Sequence, residues 1–191
     1  MQKGRLEAFS DGVLAILITI MVLELRVPEK GILSALTPLW PKFGSYILSF
    51  IFIGIYWNNH HHLWQAVEKV NGSVLWANLH LLFWLSLIPF VTSWMGENSF
   101  STIPVALYGV VLWMTALAYY LMVRTLLAYH DDDSLLIAAI GSGRKERISL
   151  ILYTIAIPLA FLRPWIAMAL YVTVAAMWLI PDRRIEEKIA D

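Results

Sequence analysis

The chain has 191 residues, of which 59% are hydrophobic and only 15% charged, and its mean hydropathy is +0.67. A soluble domain of this size has nowhere to hide so much apolar surface, so the composition calls for a lipid bilayer. Fourteen basic residues balance fourteen acidic ones, which points to no nucleic-acid partner, and the lack of cysteine excludes disulfides and thiolate metal sites.

The N-terminus does not read as a signal peptide, because it has no small-residue cleavage site and Asp11 sits inside the apolar region. Six apolar segments follow, near residues 8–25, 43–64, 74–94, 103–123, 148–162 and 164–181, each close to the roughly 20 residues that cross a bilayer as helix. The fifth is short, and Arg163-Pro164 divides it from the sixth, since proline disfavours helix in the residue before it. The segments are continuous apolar runs without alternation, which argues against strands. The expected fold is therefore an all-α membrane protein, a single domain over residues 1–191 with six transmembrane helices.

The first segment opens "RLEAFSDGVLAILITIMVLEL". Each helical residue turns about 100°, so Arg5, Phe9, Gly12, Ile20 and Leu23 all fall within about 40° of Ile16. They form one stripe, with Thr19 at its edge and with Ser10 and Asp11 pointing off it. Lipid accepts aliphatic side chains anywhere, so pattern alone reads the stripe as lipid-facing.

The second segment ends in "YWNNHHHLW" (56–64) and the third contains "WANLHLLFW" (76–84), both near the depth of Asp11. A carboxylate this close to hydrocarbon is costly unless paired or hydrated. A polar lock of Arg5, Ser10, Asp11, a histidine of the second span (His61 is the candidate) and Asn78 meets that need; a wet interfacial Asp11 and Arg5 is the simpler reading. The three adjacent histidines tempt a metal assignment, but contiguous helical residues fan over about 200°, so they do not converge on one ion. No metal centre, cofactor or enzyme is expected, because no nucleophile–base pair or phosphate-cradling loop appears. The polar stretch His130–Asp133 reads as a solvated connector. No Asp, Glu, Lys or Arg occupies the central part of any span, where carriers and pumps commonly place them, and the TVGYG filter of ordinary potassium channels is absent.

With six spans, one side of the membrane carries ten basic residues (Lys3, Arg5, Lys69, Arg124, Arg144, Lys145, Arg147, Arg183, Arg184, Lys188) and the other four (Arg26, Lys30, Lys42, Arg163). The positive-inside rule then puts both termini in the cytoplasm. Trp40, Trp64, Trp94, Trp165 and Trp178 lie near span ends and suit interfacial belts.

"RLEAFSDG" (5–12) at the mouth of the first of six spans resembles the R-x-x-x-F-S-D signature of the transmembrane protein 175 family of potassium channels. The Trp-His stretch that ends the second span, and Asn78, Pro89 and Phe90 in the third, are similar to that family too. The resemblance implies a homotetramer in the bilayer of a bacterial plasma membrane, with K+ as the permeant ion and the first helix of each subunit lining a central pore. It implies that Ile16, Ile20 and Leu23 form the constriction, that Thr19 is the position associated with selectivity, and that Arg5, Phe9, Ser10 and Asp11 hold helices and subunits together. It reverses the lipid-facing reading of the stripe. Some members of the family also conduct protons. The rival reading is a small-solute or proton-linked carrier, and behind it a histidine-metal membrane enzyme.

Overall fold

Long apolar runs satisfy their backbone internally as helix, the one open-ended arrangement lipid tolerates. The computed structural model describes residues 3–67, 69–129 and 143–179, and these are helical with short connections. In order they are α1 (Lys3–Leu23), a 3-10 helix (Leu33–Leu39), α2 (Trp40–Ala66), α3 (Gly72–Ser86), α4 (Ile88–Glu97), α5 (Thr102–Leu127), α6 (Arg144–Leu162) and α7 (Pro164–Leu179).

The helix count matches the six expected spans once α3 and α4 are taken as halves of the third. That break was not expected. Pro89 has no N–H to donate and its ring crowds the carbonyl of Leu85, so the helix stops at Leu87 and restarts with Pro89 in its first turn. Asn71 caps α3, its side chain accepting from the Val74 N–H at 2.9 Å. Four segments are long and apolar enough to cross a membrane: Lys3–Leu23, Leu33–Ala66, Gly72–Glu97 and Thr102–Leu127. α7 is a shorter apolar helix, and α6 begins four residues before the expected start, inside the charged run Arg144–Arg147. The stretch His130–Asp133 and Arg183, Arg184 and Lys188 lie outside the described residues.

α5 is the central helix, packed by α3, α4, α6 and α7, while α1 lies at the side of the bundle against α2, α3 and α4. The start of α1, the end of α2 and the start of α3 share one end of the bundle, termed here the amino end, where Lys3 Nζ donates to the Gln65 carbonyl at 3.3 Å. At the opposite end Lys42 Nζ and Glu97 Oε1 pair at 3.1 Å. There α2 and α4 approach so closely that a Cβ on Gly96 would stand 2.9 Å from Lys42 Cα. Trp40 and Trp165 are exposed near helix ends, as interfacial residues are, but Trp64 is fully buried and belongs to the core.

Candidate functional site

α1 has two faces with different surroundings. Leu6, Ser10, Leu14, Leu17 and Met21 are buried against the bundle. The stripe of Arg5, Phe9, Gly12, Ile16, Ile20 and Leu23 faces away from it, with Ile16 57%, Ile20 41% and Leu23 78% exposed. Thr19 is exposed at the stripe's edge; its hydroxyl donates to the Ile16 carbonyl at 2.9 Å and leaves its lone pairs outward. The outward face is thus three aliphatic side chains with a single hydroxyl among them.

Hydrogen bonds fix which face turns inward. Ser10 Oγ donates to the Leu6 carbonyl at 2.9 Å and accepts from Asn78 Nδ2 at 3.0 Å. Asn78 Oδ1 lies 2.8 Å from His60 Nε2, and the Trp64 indole N–H donates to that same nitrogen at 2.7 Å. Ser10, Asn78, His60 and Trp64 are all buried. An indole N–H only donates and a carbonyl oxygen only accepts, so the neutral His60 ring serves one of them at a time. His60 Nδ1 has no partner among the described residues.

The expected lock is therefore divided. The histidine that meets Asn78 is His60, not His61, because His60 is the member of the run on the face toward α3. His61 turns to α1, where its Nδ1 lies 3.3 Å from Glu7 Oε1, and its ring stacks on Trp57 at 6.0 Å. Asp11 Oδ1 accepts from Trp57 Nε1 at 3.2 Å, and Arg5 is exposed with no partner among the described residues. Glu7 and Trp57 were missed as members, although Trp57 and His61 stand one helical turn apart. The same i, i+4 spacing pairs His60 with Trp64 and His80 with Trp84, whose indole donates to His80 Nε2 at 2.9 Å. The three adjacent histidines point three ways, and no group of three or more metal-ligating side chains occurs among the described residues.

A family model described as endosomal/lysosomal potassium channel TMEM175 matches residues 5–89, the stretch that holds both faces of α1 and the whole Ser10–Asn78–His60 network. A potassium channel of Chryseobacterium sp. (strain P1-3) is 56% identical over the full length of both chains. The chain belongs to the TMEM175 family. A solved structure of a lysosomal potassium-selective channel TMEM175 homolog from Chamaesiphon minutus is similar to it with a TM-score of 0.81 and 26% identity, covering 93% of this chain and 96% of that one. The endosomal/lysosomal proton channel TMEM175 of Gallus gallus is 29% identical over 71% of this chain, which spans 30% of that relative.

Proposed function

We propose that this chain is one subunit of a potassium-selective channel, a homotetramer whose central pore is lined by α1. The observation that carries the reading is the divided helix. One face is bonded into its own subunit through Ser10, and the other leaves Ile16, Thr19, Ile20 and Leu23 exposed among the described residues. The bacterial relatives named as potassium channels support it.

In the tetramer, four copies each of Ile16, Ile20 and Leu23 form stacked apolar rings. Such rings exclude water when narrow and impose a desolvation barrier on ions, and a small dilation rewets them. Potassium sheds water more readily than sodium, so a narrow pore favours it without a cage of carbonyls, and the Thr19 hydroxyls meet the partly dehydrated ion between rings. Asp11, Trp57, Glu7 and His61 tie the mouth of α1 to α2, and Arg5 and Phe9, exposed in the single subunit, are placed to meet a neighbouring one. The chain sits in a bacterial plasma membrane with both termini cytoplasmic, so the amino end faces the cytoplasm. It carries no cofactor and is not an enzyme.

Planar-bilayer recording under potassium/sodium bi-ionic conditions tests the reading. Unitary current steps with a reversal potential set by potassium are expected. Solute-coupled transport without unitary steps means a carrier instead.

A further inference from the structure

α6, like α1, has two faces, but its outer face ends in charge. Ser149, Tyr153, Ala156 and Ala160 are buried, and the helix packs on α5 and α7. On the other side Ile148, Ile151, Ile155 and Leu162 all fall within about 40° of Arg144 and are exposed. Arg147 stands beside them, about 60° from Arg144 and one turn on. Both arginines are exposed, and neither guanidinium has a partner among the described residues.

The neighbours of this charged end mark its depth in the bilayer. Lys145 Nζ lies 5.7 Å from the centre of the Trp178 ring, and the Trp178 indole N–H donates to Ser149 Oγ at 2.9 Å. A tryptophan beside a lysine at a helix end is the pattern of the headgroup layer. From Arg144 to Ile155 the helix rises about 16 Å, close to the roughly 15 Å of hydrocarbon in one leaflet. The arginines thus stand at phosphate depth and the isoleucines at acyl-chain depth. Two like charges one turn apart repel each other, and an anion between them removes that cost. The guanidinium fork matches phosphate oxygens in geometry as well as charge.

We infer that the outer face of α6 is a docking site for one anionic phospholipid of the leaflet at the amino end. Its phosphate sits on Arg144 and Arg147, and an acyl chain lies along Ile148, Ile151 and Ile155. The inference goes beyond the pore reading and does not need α1 to line a pore. Charge chooses the occupant. Among the described residues the amino end carries seven basic residues against three acidic ones, so a second copy of the chain brings the same excess to this face. Glu7 and Asp11 are moreover already engaged by His61 and Trp57. An anionic lipid supplies the missing negative charge and the apolar cover in one molecule.

The test is native mass spectrometry of the full chain in detergent, titrated with phosphatidylglycerol and with phosphatidylcholine of the same acyl chains. One phosphatidylglycerol per subunit is expected to bind in preference to phosphatidylcholine. Arg144→Gln and Arg147→Gln should each weaken that preference about fivefold, and the double variant about 30-fold, the scale of losing one or two basic contacts to an anionic lipid. Lys69→Gln, exposed in the α2–α3 connection at the same end, should bind like wild type. Glycerol phosphate, which offers the anion without the chains, should not displace the lipid. Equal binding of the two lipids by wild type overturns the inference, as does a double variant that keeps the preference. An equal loss in Lys69→Gln would mean diffuse attraction to the whole end, and displacement by glycerol phosphate a bare anion site; either overturns it. So does loss of the oligomer on size exclusion in the arginine variants, which would give the face to a neighbouring subunit.

Discussion

α1 and α5 are close in composition and opposite in surroundings. Both are long and apolar enough to cross a membrane, yet 28% of the apolar stretch of α1 is buried inside the subunit against 61% for α5. Hydropathy sorts spans from loops, and it says nothing about which spans are packed on all sides. The difference is written in the polar residues. α5 carries Tyr108, Thr115 and Tyr119 inward, whereas α1 has one buried hydroxyl, Ser10, that fixes its rotation and leaves a stripe of aliphatics without a partner. In water such a stripe would be driven into a core. In lipid that drive is absent, so helix rotation is decided by packing and hydrogen bonds.

The comparison is broken most directly on the buried face of α1. Leu14 and Leu17 are buried against the bundle, so Leu14→Ser opens a cavity and puts a hydroxyl in it. A loss of about 2–5 kcal/mol is expected, read as a fall in the detergent melting temperature. Ile16→Asn, two residues on, should leave that temperature nearly unchanged; equal losses would mean that the two faces are not distinct. Asn78→Leu removes the partner of both Ser10 and His60 and should cost about 1–3 kcal/mol, checked by the same melting curve. The Asp11 carboxylate is only half-buried and holds one indole N–H, so Asp11→Ala should cost each subunit about 1 kcal/mol. A much larger fall in tetramer yield on size exclusion would place Asp11 in contacts between subunits. The smallest effect belongs to Thr19→Val. The hydroxyl is bonded only within its own helix, so stability should hold while the potassium/sodium reversal potential shifts. An unchanged reversal potential would remove Thr19 from the selectivity account.

The existence of the helices was legible because runs near 20 apolar residues have few other fates. Their ends were less so. The charges of Arg144–Arg147 look like loop, yet helix extends over them because they lie at the edge of the bundle. The break at Leu87 was signalled by Pro89 and was overlooked inside an unbroken apolar run. The stripe on α1 was legible as a geometric fact, since 100° per residue fixes which side chains share a face. The choice of His60 over His61 was not, because it depends on where α3 lies relative to α2. The pairing of Glu7 with His61 depends on the neighbouring helix in the same way. The pore role of the stripe came from resemblance, since lipid and pore place the same demand on isoleucine.

That ambiguity sets the decisive experiment. Ile16 on α1 and Ile151 on α6 are 57% and 58% exposed in the single subunit, so exposure does not tell them apart. The measurement is unitary current and bi-ionic reversal potential for Ile16→Asn and Leu23→Ser beside Ile151→Ser. If α1 lines the pore, the first two hydrate the constriction, raise conductance and weaken selectivity, while Ile151→Ser conducts like wild type. If Ile151→Ser alters permeation and the α1 variants do not, α1 is not the pore helix and its apolar rings are not the barrier.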